Sequence, residues 1–126
     1  MNKDFITKQS NETYDIKVSV VQFIEDDVVI VYCPSLDLSG YGNSDFEAQE
    51  SFKTVLHEYI RYASDKGTLD EDLREHGWVR LKTKNPSMTP PAMTDLLAMN
   101  ENFRRIFNTQ SSYQKYDTPV MQVAMN

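Results

Sequence analysis

The 126-residue chain is sparing with several residue types, and each scarcity excludes something. It carries one cysteine, Cys33, so an internal disulfide framework and a multi-cysteine metal site are both ruled out. Its 2 histidines, His57 and His76, lie far apart and give no metal-ligand spacing. No apolar run approaches the ~20 residues that cross a bilayer. The start, Met1-Asn2-Lys3-Asp4-Phe5, lacks the apolar stretch of a secretory leader. A cytoplasmic protein without membrane contact is expected. Basic residues are the minority, 13 Lys+Arg against 19 Asp+Glu, for a net charge of −6. A dominant nucleic-acid surface needs clustered Lys and Arg; this balance suits a plain soluble domain, or one with a basic partner.

What is present is ordinary globular material: 40% apolar and 25% charged residues, enough for one domain with its own core. Residues 1–13 are polar and read as an arm. Ile16, Val18 and Val20 alternate with polar neighbours as a half-buried strand does. Glu25-Asp26-Asp27 supplies a turn, and Val28 to Cys33 reads as a second strand buried on both faces, with Cys33 a buried thiol. Pro34 cannot donate to a ladder and ends that strand. Leu36, Leu38 and Tyr41 mark a short third strand.

The strongest signal follows. Ser44-Asp45-Phe46-Glu47 is a capping box. Behind it Ala48, Phe52, Val55, Leu56, Tyr59, Ile60 and Ala63 form one apolar helix face. With Gly67 as the residue past the end, the spacing predicts a helix over about 45–66. Thr68-Leu69-Asp70-Glu71 reads as a second capping box opening a short helix that ends near Gly77, and Trp78 to Lys82 alternates as a fourth strand. The predicted order is β-β-β-α-α-β. The fold class is α+β, a small antiparallel sheet packed by one long and one short helix. The organisation is an arm over 1–13, a domain over 14–82 and an extension over 83–126. Residues 1–82 hold 9 basic and 16 acidic side chains, and residues 83–126 hold 4 and 3, so the acidity sits entirely in the first part. In the extension, Asn85 to Pro91 reads as a linker or the lead-in to a helix. Met93, Leu96, Phe103, Ile106 and Phe107 fit one amphipathic helix, and Pro119 to Val123 fits a closing edge strand.

No catalytic constellation emerges. Asp26 and Asp27 read as solvated turn residues. Gly40-Tyr41-Gly42 lacks both the dinucleotide-binding glycine spacing and a phosphate-binding lysine; its glycines read as a turn with positive φ and a tight strand-to-helix crossover. The acidic cluster Asp70, Glu71, Asp72 and Glu75 complements a helix N-terminus and is also the best candidate for a basic partner. Arg80, Lys82 and Lys84 fall on one strand face, an arrangement that can read a DNA groove and that also simply balances an acidic chain. No metal, cofactor or enzymatic activity is expected.

Tyr32-Cys33-Pro34-Ser35-Leu36 followed by Gly42-Asn43-Ser44-Asp45-Phe46-Glu47-Ala48 resembles the HicB antitoxin family of type II toxin–antitoxin systems. The matching positions are Pro34, Leu36, Gly42, Ser44, Glu47 and Ala48, and the resemblance extends over about residues 14–82. Asp37-Leu38-Ser39-Gly40 stands where the family carries Pro-Gly-Cys, and the extension resembles neither DNA-binding module common in that family. The resemblance implies a partial RNase-H-like fold without catalytic carboxylates. It also implies a dimer or other homo-oligomer, and a basic HicA-like toxin, an mRNA-cleaving RNase, as partner. The alternative expectation is a stand-alone structural or regulatory domain of the same type, oligomeric and without a toxin.

Overall fold

The computed structural model describes residues 12–81, 86–110 and 112–125. Its elements run β1 (Glu12–Ile16), β2 (Ser19–Glu25), β3 (Val28–Cys33), β4 (Leu38–Gly42), α1 (Asp45–Asp65), α2 (Leu69–Glu75), β5 (Val79–Leu81), β6 (Ser87–Thr89), α3 (Met93–Met99), α4 (Glu101–Thr109), β7 (Gln114–Asp117) and β8 (Met121–Met125). The class is α+β. Two four-stranded sheets have the orders β5-β6-β1-β8 and β4-β3-β2-β7. All neighbours are antiparallel except β1 and β6, which are parallel.

One bent ribbon joins the sheets. Only Lys17 and Val18 separate β1 from β2, while Thr118, Pro119 and Val120 lie opposite them between β7 and β8. The extra residue is a bulge, and Pro119 sits in it because that position needs no ladder N–H. Thr118 pins the bend: its N–H donates to the Val18 carbonyl at 2.8 Å, and its hydroxyl accepts the Val18 N–H at 3.2 Å.

The sheet containing β2 and β3 is covered on both faces. Val18, Val20, Val29, Val31 and Cys33 pack under α1 and α2 with Phe52, Leu56, Leu73 and Trp78. Val21, Phe23 and Tyr32 face the other way, onto Leu96, Phe103 and Ile106 of α3 and α4. This explains why the alternation of β2 fades into the consecutive buried residues Val20 to Phe23: both faces are core. The buried Gln22 is satisfied by Gln49 Nε2 and the Tyr116 hydroxyl, each 3.0 Å from its Oε1.

The β2–β3 hairpin turns through Asp26 and Asp27 alone, at φ 52° and 65°. Both residues are left-handed, as a two-residue hairpin turn requires, and Asp tolerates that region better than most residues. The predicted helix over 45–66 runs Asp45–Asp65. Ser44 Oγ accepts the Glu47 N–H at 3.1 Å, and Glu47 Oε1 reaches back to the Asn43 N–H at 2.9 Å. Ser44→Ala is expected to cost about 0.5–2 kcal/mol of stability; an unchanged urea midpoint would contradict this. Both helices end at a glycine in the left-handed region, Gly67 at φ 71° and Gly77 at φ 89°, with the paired C-terminal hydrogen bonds that this conformation allows.

Several sequence-based expectations need correction. The Thr68 box does not close, because Thr68 directs its hydroxyl to the Ala63 carbonyl at 3.4 Å and makes no cap bond to α2. Gly40 and Gly42 do not serve a positive-φ turn; they lie inside β4, where α1 crosses so closely that a Cβ on Gly40 would stand 2.3 Å from the Phe52 nitrogen. The segment read as a linker contains strand β6, whose Met88 is buried between β5 and β1 in the main core. The single helix expected after it is broken at Asn100 into α3 and α4. The closing strand starts at Met121, after the bulge, and pairs with β1 of its own sheet; β7 precedes it and was not anticipated.

Candidate functional site

The α3–α4 break sits at the mouth of an open cleft of about 390 Å³ lined by Pro34, Asp37, Glu75, His76, Leu96, Met99 and residues 100–102. Three separate segments build it. Pro34 ends β3, and the chain turns over Pro34–Asp37 into β4, with the Asp37 N–H closing on the Cys33 carbonyl at 2.8 Å. Asp37 adopts φ 56°, which turns its carboxylate back over the turn. That carboxylate accepts from the Tyr32 hydroxyl, and from Asn102 Nδ2 at 3.4 Å. Burial, reinforced by Asp37, pushes the Tyr32 hydroxyl well above its ordinary range, so it stays a donor.

Asn100 ties the extension to this turn. Its Nδ2 donates to the Tyr32 oxygen at 2.9 Å and to the Pro34 carbonyl at 3.0 Å, while its Oδ1 caps α4 by accepting the Phe103 N–H at 3.0 Å. An asparagine at a helix start can fill both roles because it carries a donor and an acceptor on one amide. From α2 come Glu75 and His76. His76 Nδ1 lies 2.9 Å from the Asp72 carbonyl; a carbonyl only accepts, so that nitrogen carries a proton. Glu101 opens α4 and is exposed, as is Glu75.

The lining therefore holds three carboxylates, Asp37, Glu75 and Glu101, and no Lys or Arg. Pro34, Leu96 and Met99 supply the apolar surface. Such a cleft suits the long apolar stem and cationic head of an Arg or Lys side chain. It does not suit a metal ion: among the described residues no group of three His, Cys, Asp or Glu comes close enough to hold one.

Searches of protein-family models, curated proteins and solved structures find no match to this chain.

The structure separates the four acidic residues singled out by the sequence. Asp70 is held by Arg80 at 2.8 Å and Arg74 at 3.2 Å. Asp72 accepts the Tyr59 hydroxyl at 3.1 Å, and burial with that neighbouring charge raises the Tyr59 pKa. Glu71 faces solvent on α2, and Glu75 alone reaches the cleft. Arg80, read as a candidate nucleic-acid contact, has a side chain only 14% exposed; besides Asp70 it stacks over the Tyr14 ring, 4.7 Å from its centre. Its charge is built into the fold. Lys82 and Lys84 lie outside the described residues. The motif residues fall into two groups: Gly42, Ser44, Glu47 and Ala48 meet where α1 begins, while Pro34 and Leu36 lie in the turn at the other end of β4, and Leu36 and Ala48 both belong to the core. His57 is exposed on α1, away from the cleft. Sequence reasoning missed Asp37, Asn100, Glu101 and Asn102. The signal for Asn100 was present: it lies between the apolar sets Met93–Leu96 and Phe103–Ile106 and is a preferred N-cap residue.

Proposed function

We propose that this chain is a HicB-like antitoxin, a non-catalytic cytoplasmic module that binds and silences a small basic HicA-like toxin. The observation that carries the reading is the cleft itself: three carboxylates around an apolar floor, with no Lys or Arg in the lining, beside the β3–β4 turn, where Pro34 of the family-like motif forms part of the wall. A basic side chain of the toxin enters this cleft. The surrounding negative charge speeds encounter and selects for a basic face, while the apolar floor slows release. Covering that face blocks the toxin's access to RNA. The antiparallel β2–β3–β4 meander followed by the long helix α1 supports the partial RNase-H-like comparison.

A second reading, a stand-alone regulatory domain, draws on β7 and β8, which add a fourth strand to each sheet from the chain's own extension. Co-expression with the product of a short basic open reading frame beside the gene separates the two. The antitoxin reading expects growth rescue and a co-purifying complex. Neither rescue nor complex would reject it for that pair.

A further inference from the structure

A different surface points to a second partner, independent of the cleft. β7 is an edge strand: it pairs with β2 on one side, and among the described residues no strand pairs on the other. The opposite edge of that sheet is guarded, because β4 lies under α1 and the Tyr41 N–H donates to Ser51 Oγ at 3.2 Å. Edges left open in soluble proteins are templates for strand addition unless their side chains forbid it.

The register of β7 fixes what it can accept. The Thr118 N–H donates to the Val18 carbonyl, and the ladder continues as Val20 with Tyr116 and Gln22 with Gln114. Residues 114, 116 and 118 therefore present their N–H and C=O groups to β2, and Lys115 and Asp117 present theirs outward. Side chains alternate the other way. Tyr116 packs toward α1, with its hydroxyl on Gln22, while Lys115 and Asp117 share the opposite face.

We propose that β7 pairs antiparallel with β7 of a second copy of this chain about a two-fold axis through Tyr116. This register joins two four-stranded sheets into one. The outward groups of Lys115 and Asp117 then meet those of Asp117 and Lys115 of the other copy in hydrogen-bonded pairs, so all the outward backbone groups of both residues are satisfied. Each Lys115 ammonium faces an Asp117 carboxylate, giving opposite-charge cross-strand pairs. An axis through Lys115 or through Asp117 would set like charges opposite each other, so the charge pattern selects a single register. Asp117 is suited to a further cation: Ser19 Oγ at 2.6 Å, Lys17 at 3.6 Å and Lys115 keep its carboxylate ionised below the usual range. On the α1 side, the two Tyr116 rings come side by side. Each copy also has a groove of about 410 Å³ between α1 and β7, floored by Phe52, Leu56 and Met121, which gains an outer wall from the partner strand. Pro119 ends the pairing, because it has no N–H to extend the ladder.

The test is site-directed crosslinking of the full chain, combined with sedimentation velocity. At a non-hydrogen-bonded pair on the axis the two Tyr116 Cα atoms stand about 4.5 Å apart, within disulfide reach. Tyr116→Cys is expected to form a disulfide-linked dimer under mild oxidation. Lys115→Cys should not, because its symmetry mate lies roughly 8–9 Å away, diagonally across the pair. The native thiol, Cys33, is buried and stays silent. Lys115→Glu, which leaves the charge pattern like against like, should weaken dimerisation at least tenfold with an unchanged circular dichroism spectrum. This variant decides the matter should Tyr116→Cys fail to fold. Wild-type protein that sediments as a monomer at sub-millimolar loading would overturn the proposal. So would equal crosslinking of the two cysteine variants, a dimer indifferent to Lys115→Glu, or a β7 edge engaged only by a different protein.

Discussion

Gly40→Ala is expected to destabilise the protein by about 3 kcal/mol or more, at the upper end of overpacking effects, and to lower Tm by roughly 10 °C. The cause is where the added methyl group would go. It would stand 2.3 Å from the Phe52 nitrogen and 2.5 Å from the Phe52 Cα, both backbone atoms of α1. No rotamer change relieves such a clash; the helix itself has to rise off β4. Phe52 and Ala48 are core residues of the same helix, so lifting it opens the main core along with the local contact. Urea and thermal unfolding followed by circular dichroism measure this directly. A loss of under about 1 kcal/mol would show that α1 has slack over β4, contrary to the close crossing described above.

Trp78→Ala has a comparable expected effect, about 3–5 kcal/mol for removing a buried aromatic. Trp78 is 3% exposed and packs in the main core. Its indole N–H donates to the Ser35 carbonyl at 3.0 Å. Truncation leaves a cavity and also strands that buried carbonyl, which sits in the turn supporting the acidic cleft. Trp78→Phe separates the two contributions, since it keeps most of the packing and removes only the donor. It should cost clearly less than the alanine variant. Equal losses for the two would place the whole effect in the hydrogen bond and contradict the packing account.

These two positions also mark how far the sequence was legible. α1 was readable because its signals are local: Ser44 and Glu47 at the start, one apolar face, and Gly67 at the end. The β2–β3 hairpin was readable for the same reason, through a two-residue acidic turn between apolar runs. Gly40 was read half correctly: the tight strand-to-helix approach is there and the positive-φ turn is not, because both uses leave the same letter and only tertiary packing tells them apart. The segment around Met88 was hidden by its flanking prolines, which locally read as a linker, although a three-residue strand between two neighbours can tolerate prolines just outside it. The candidate site was the least legible. Its carboxylates come from the 34–37 turn, the end of α2 and the start of α4, segments that no spacing rule connects. The acidic run on α2 looked like a unit in the sequence. In the fold, two of its members are engaged by Arg80, Arg74 and Tyr59, and only Glu75 contributes to the cleft.

The central claim is that the cleft, rather than acidity in general, holds a basic protein partner. It is tested most directly by the dissociation constant for a small basic HicA-like protein, compared across three forms of this chain at low and high salt. Glu75→Lys/Glu101→Lys places two cations in the cleft; Glu71→Lys changes an exposed acidic residue of the same helix outside it. The account predicts at least tenfold weaker binding for the cleft variant at low salt, a loss of about 1.4 kcal/mol or more, and a smaller gap at high salt as screening grows. The Glu71 variant should bind nearly as the wild type does. Equal affinity for wild type and cleft variant, or an equal loss at Glu71, would contradict the claim.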